Sequence, residues 1–205
     1  MNANCRRQHR SALLVLLTLW LLAGLVTPIH ATGTDGDTVS VGIQDGAPIR
    51  LLIPRIHLDV PVEPAGWIEK SGRRTWTVPN SAASWHLGSA RVGEADNLVL
   101  SGHNNISGSV FRNLADLKVG DIVVIRSQTE SRRFEITTRL ILRDSLQSEE
   151  QRLENARLIG DFGEERITLV TCHPAWANTH RLIVVAEPED AVSKNHRRMR
   201  GLSQE

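Results

Sequence analysis

Along most of the chain, apolar residues recur at every second position in short runs. These runs are broken by Gly, Pro, Asn or Asp, a pattern that fits half-buried strands. They read IRLLIP, IHLDVPVE, GWIE, TWTVP, NLVLSGH, DIVVIRS, RRFEITTRLIL, RITLVTC and RLIVVAE. Alternation is clearest in RRFEITTRLIL, where Phe134, Ile136, Leu140 and Leu142 recur every second or fourth position. Two stretches carry a helical period instead. One is the short SVFRNLADL after His103; the other is SEEQRLENARLIG, in which Leu153, Ala156 and Leu158 line one face. Because no long helix alternates with the strands, the pattern argues against a doubly wound parallel sheet. It predicts an all-β fold, a closed barrel or a sandwich with short helices. No internal repeat is visible.

The opening of the chain follows a different pattern. Arg6, Arg7 and Arg10 precede SALLVLLTLWLLAGLVTPI, which carries no charge from Ser11 to Ile29. A run of about 18 or more apolar residues spans a bilayer, whereas a cleavable signal core usually has about 7–15. Ile29 and His30 are larger than the residues that usually precede a signal cleavage site. Residues 1–30 are therefore expected to be a basic cytoplasmic end and an uncleaved transmembrane anchor, with everything beyond exported. Residues 31–48, rich in Gly, Asp and Thr, read as a linker, residues 49–188 as the folded domain, and residues 189–205 as a solvated polar, basic tail.

Charge adds little: 24 Lys and Arg offset 23 Asp and Glu, which gives no reason to expect a nucleic-acid partner. The cysteine count matters more once topology is considered. Cys5 precedes the apolar run, so it lacks a lipoprotein context and has no assigned role. Cys172 is then the single exported thiol, with no intramolecular disulfide partner: buried and inert, reactive, or paired between chains.

RITLVTC and RLIVVAE flank the loop HPAWANTH, and strands joined so closely usually pair antiparallel. In that hairpin Cys172 and Arg181 become cross-strand neighbours, with a guanidinium beside a sulfur. His173 is a poor base for Cys172, because successive strand residues point to opposite faces and Pro174 holds His173 extended. His103 ends an apolar strand after a glycine, a common setting for a catalytic group. His86, in SWHLGS, is an equal alternative on these grounds. A zinc site from Cys172, His173, His180 and His103 is disfavoured by the poor geometry of the Cys-His adjacency. No cofactor is indicated. Trp67, Trp76 and Trp85 read as packing residues, whereas Trp176 sits beside the cysteine and is a candidate substrate contact.

At this point TLVTC resembles the TLxTC signature of the sortases, membrane-anchored bacterial cysteine transpeptidases. The likeness extends through IPRIHLDVPVE, WHLGSARVGEADNLVLSGHNN, LADLKVGDIVVI and the final hairpin. The resemblance implies a closed eight-stranded β-barrel and a catalytic trio of His103, Cys172 and Arg181. It also implies surface proteins bearing a C-terminal sorting signal of the Leu-Pro-x-Thr-Gly type as substrates. An amine acceptor, a peptidoglycan precursor or a pilin lysine, would complete the transfer at the cell membrane. Thr171, Trp176 and His173 are candidate substrate contacts, in a groove bounded by DSLQSEEQRLENARLIG and HPAWANTH. The TCHP form with a short loop to arginine is most similar to the class D and E enzymes. Asn104 stands where many relatives carry arginine or another large group, and no DPF- or DPW-like lid precedes the barrel.

Overall fold

The structure, a computed structural model, describes residues 46–70, 72–106 and 108–202. The expected anchor, Cys5 and most of the expected linker lie outside the described residues. Among those described, no helix is long and apolar enough to cross a membrane.

Ten strands form among the described residues. β1 (Arg50–Ile53), β2 (Leu58–Ala65), β5 (Ala83–His86), β6 (Asn97–Ser101), β7 (Ile122–Arg126), β8 (Ser131–Arg143), β9 (Arg166–His173) and β10 (His180–Pro188) close a barrel. Its order is β1-β2-β5-β6-β9-β10-β8-β7. The pairs β2–β5 and β6–β9 are parallel, and the other barrel pairs antiparallel. β3 (Trp67–Lys70) and β4 (Arg73–Trp76) form a separate two-stranded hairpin. The eight barrel strands are thus not simply the apolar runs of the sequence. GWIE and TWTVP leave the barrel as that hairpin, and ASWH, whose four residues are all buried and show no alternation, enters it as β5.

Alternate residues of each strand fill the interior. Leu98 and Leu100 of β6, Ile167 and Leu169 of β9, and Leu182 and Val184 of β10 meet Leu51, Ile53, Val123, Ile125, Phe134 and Ile136 there. Phe111, Leu114 and Leu117 join the same core, and the expected helix in SVFRNLADL shrinks to one 3₁₀ turn at Leu114–Asp116. Burial of this kind contributes about 25 cal/mol for each Å² of apolar surface withdrawn from water, so the continuous interior holds the strands rigidly.

Two helices lie outside the barrel. α1 (Glu149–Ala156) is capped by Ser148, whose side chain accepts from the Gln151 backbone N–H at 3.2 Å, with Glu149 and Glu150 in its first turn. A 3₁₀ turn, Arg157–Ile159, continues it. The expected apolar face is only partly realised: Leu153 is exposed, and Ala156 and Ile159 are the apolar residues of this segment that line the cleft described below, beside Arg152 and Asn155. Residues 189–202, expected as a solvated tail, form α2 (Glu189–Leu202) instead. Buried Val192 and the Arg133–Glu189 ion pair at 2.7 Å hold α2 to the body, while most of its basic side chains remain exposed.

Candidate active site

The site starts from strand register. β9 and β10 are joined by a tight loop in which the Asn178 backbone N–H donates to Pro174 O at 2.9 Å. Asn178 adopts a left-handed backbone (φ 54°), which its short polar side chain tolerates. The resulting register places Arg181 opposite Cys172 and His180 opposite His173. With Ile167 and Leu169 inside the barrel, alternation turns Cys172 outward; the same rule turns Arg181 and Ile183 outward from β10. Arg181 Nη1 lies 2.9 Å from Cys172 Sγ. Its other terminal nitrogen, Nη2, pairs with Asp144 Oδ2 at 2.8 Å.

His103 reaches the site by a separate route. β6 runs parallel to β9 with Ser101 opposite Val170, so the chain beyond Ser101 passes alongside the chain beyond Val170. That close approach needs a glycine: a Cβ on Gly102 would lie 2.8 Å from the Phe111 ring. Gly102 O accepts from Thr171 Oγ1 at 2.8 Å, and His103 O accepts from the Phe111 N–H at 2.9 Å. Asn104, buried, donates from Nδ2 to Cys172 O at 2.7 Å and ties the end of β6 to the nucleophile's own main chain. The Asn105 side chain donates to Ala175 O in the adjoining loop. In the sequence, Asn104 stands out only as a departure from relatives. The Gly-His-Asn-Asn run carries its signal only once β6 and β9 are known to be parallel neighbours.

Cys172, His103 and Arg181 line one cleft of about 730 Å³ on the outer surface of the barrel. One wall comes from Leu142, Arg143 and Asp144 at the end of β8 together with Gln147, Arg152, Asn155, Ala156 and Ile159. The other comes from Ile68 and Trp76 of the β3–β4 hairpin, with Thr77, Val78 and His86. The expected groove is therefore present along residues 144–159, but its opposite wall is the hairpin and not the HPAWANTH loop. Neither His173 nor Trp176 lines the cleft; Trp176 is 88% exposed on the loop. Thr171 does line it, with its hydroxyl committed to Gly102 O.

The cleft contains both histidines that spacing leaves open, in different states. His86 is buried, stacks on Trp76 with ring centroids 4.1 Å apart, and shares a 2.8 Å hydrogen bond between Nε2 and Ser101 Oγ. Burial pushes its pKa down to about 4, so it is neutral at pH 7. The His103 imidazole is half-buried and makes no hydrogen bond among the described residues. An uncommitted imidazole suits proton exchange better than one buried and already bonded. Among the described residues, no group of three or more His, Cys, Asp or Glu side chains gathers to hold a metal ion.

This arrangement has the parts of an acyl-transfer site: an outward thiol, a guanidinium touching it, an imidazole in the same cleft, and cleft walls that carry both apolar and polar side chains. Comparison with known proteins points the same way. The Sortase domain family profile matches residues 51–189. Among solved structures, a lid mutant of sortase A from Corynebacterium diphtheriae is 24% identical with a TM-score of 0.54, covering 69% of this chain and 69% of that one. Sortase C-1 from Actinomyces oris is 25% identical with a TM-score of 0.55, over 70% of this chain and 75% of that one. A Clostridium perfringens sortase D5 transpeptidase is 23% identical with a TM-score of 0.54, over 69% and 78%. At these identities the structural likeness speaks for the fold, and the three relatives carry different class letters. No curated protein matches the chain.

Proposed function

The chain belongs to the sortase family of cysteine transpeptidases, and from that premise we propose that Cys172, His103 and Arg181 transfer surface proteins from a sorting signal to an amine. The observation that carries the assignment is the 2.9 Å contact between Arg181 Nη1 and Cys172 Sγ in the cleft that His103 also lines.

In this reading the Cys172 thiolate attacks the carbonyl carbon of the Thr–Gly bond in a Leu-Pro-x-Thr-Gly-like signal. A C–S bond forms, the C–N bond breaks, and protonated His103 gives its proton to the departing glycine amine. The acceptor amine then attacks the thioester and passes a proton to His103. The C–S bond breaks and the thiolate returns. Arg181 faces the sulfur that bears negative charge before attack and after release, and its remaining donors stabilise the oxyanion between those points. The acceptor is a peptidoglycan precursor or a pilin lysine. The basic, apolar start of the chain holds the enzyme in the bacterial cell membrane with the barrel outside. The TCHP sequence and the short Cys–Arg loop support a place near the class D and E enzymes.

The test uses the purified full-length protein, a fluorogenic sorting peptide and an added amine. Wild type is expected to give an acyl adduct on Cys172 and an amine-ligated product by mass spectrometry, and Cys172→Ala neither. Cleavage that survives in Cys172→Ala overturns the nucleophile; cleavage that never yields ligated product reassigns the enzyme as a hydrolase.

A further inference from the structure

Arg181 is held from two directions. One terminal nitrogen meets the sulfur at 2.9 Å and the other meets Asp144 at 2.8 Å, so the planar fork spans a thiol and a carboxylate. Asp144 is exposed, but its backbone is fixed. It directly follows the last residue of β8, where Arg143 pairs with His180 and Leu142 with Arg181. Its backbone N–H donates to Thr179 O at 2.9 Å, and Ser145 N–H donates to the same oxygen at 3.2 Å. The main chain carrying the carboxylate is thus bonded to the loop between Cys172 and Arg181, and Asp144 lines the cleft with them.

A long arginine side chain with an exposed end has many rotamers, and a guanidinium beside a thiol is useful only in one of them. An exposed ion pair by itself adds little to stability. The value of this one lies in choosing an orientation: with Nη2 engaged by Asp144, Nη1 is left aimed at Sγ. We propose that Asp144 is a positioning residue that orients Arg181 against Cys172, and that it contributes to turnover through the arginine and not through substrate contact. This rests on the assignment of Cys172 and Arg181 given above. It also makes a charged carboxylate useful in a place where bulk electrostatics would disfavour it, because a negative charge near a thiolate is repulsive.

Those opposing expectations supply the test. The rate at which iodoacetamide alkylates Cys172 in the folded full-length protein at neutral pH reports the thiolate without requiring turnover. If Asp144 positions Arg181, Asp144→Ala lets the guanidinium swing away: alkylation slows several-fold, and kcat falls on the order of tenfold to a hundredfold with KM little changed. Asp144→Glu is expected to recover part of both. In an Arg181→Ala background, Asp144→Ala is expected to leave alkylation within about twofold, because the residue through which it acts is gone. Faster alkylation in Asp144→Ala, or an equal slowing with and without Arg181, overturns the proposal. If instead Cys172→Ala still cleaves, or Arg181→Ala is fully active, the catalytic assignment itself has failed, and the two failures are separate.

Discussion

On β9 and β10, Leu169, Leu182 and Val184 point into a closed interior and are fully buried, while Cys172, Arg181 and Ile183 on the same strands face the cleft. The inner residues are interchangeable in kind: any apolar side chain of similar volume fills the space at modest cost. The outer ones are not, because a thiol and a guanidinium must meet within about 3 Å. Beside the cleft, the pleat of β9 and β10 therefore separates side chains that hold the barrel from side chains that reach the proposed site. The rigidity of the first set is what gives the second a fixed geometry.

Arg181 and Leu182 are neighbours in sequence on opposite faces, so replacing each with alanine divides the two roles most sharply. Arg181→Ala is expected to lower kcat/KM by about a hundredfold to a thousandfold, the usual worth of an oxyanion donor, and to leave the urea midpoint almost unmoved. Leu182→Ala removes a fully buried side chain and is expected to cost about 2–5 kcal/mol in urea unfolding, with activity per folded molecule retained. Equal losses of stability in the two variants would show that the faces are not separable.

His86 extends the comparison to pH, since it is a cleft residue that is buried like a core residue. Its pKa lies near 4 when folded against an ordinary value of 6.5, so between those limits the unfolded chain binds the extra proton. Stability from this group is thus complete above about pH 6.5, declines as pH falls, and is exhausted near pH 4. The loss amounts to up to about 3 kcal/mol over that window. His86→Phe keeps a ring against Trp76 and cannot charge, so urea unfolding at pH 7 and pH 4 should show a smaller acid loss than wild type. An unchanged difference would place the acid sensitivity elsewhere.

The two faces are not equally legible in the sequence. Alternation locates nine runs that form strands, and the short Cys–Arg loop makes the cross-strand pairing of the last two readable from spacing alone. β5 escapes because ASWH is buried at all four positions and so has no polar partner residues to alternate with. The β3–β4 hairpin reads as strands but not as a cleft wall, since alternation says which residues share a face and nothing about which sheet receives them. Residues 189–202 look like a tail because their apolar content is low, and buried Val192 with the Glu189–Arg133 pair is a tertiary anchor invisible to local pattern. Asn104 and Asp144 are unreadable for a related reason. One acts across a parallel strand pair and the other across the far end of β8, and both contacts exist only after the barrel closes. Spacing alone leaves His103 and His86 level; resemblance chooses His103, and its uncommitted imidazole supports that choice on physical grounds.

Trp176 gives the smallest expected effect and the finest discrimination. Its position near Cys172 in the chain suggests substrate contact, yet it stands 88% exposed on the loop and is not on the cleft wall. A large aromatic side chain left in water contributes little to the fold, so Trp176→Ala should change stability by less than about 0.5 kcal/mol. Trp176 is not on the wall between the β3–β4 hairpin and α1, so with peptide bound there kcat/KM at saturating amine is expected to stay within about twofold of wild type. The informative measurement is the same assay run against varied amine concentration. If the loop forms part of the acceptor's approach, Trp176→Ala raises the amine concentration needed for half-maximal ligation while peptide cleavage is unaffected. A fall in peptide kcat/KM of about tenfold or more would instead bring the loop into the peptide groove, and the inner and outer faces of β9 would then share their functional end with a third element.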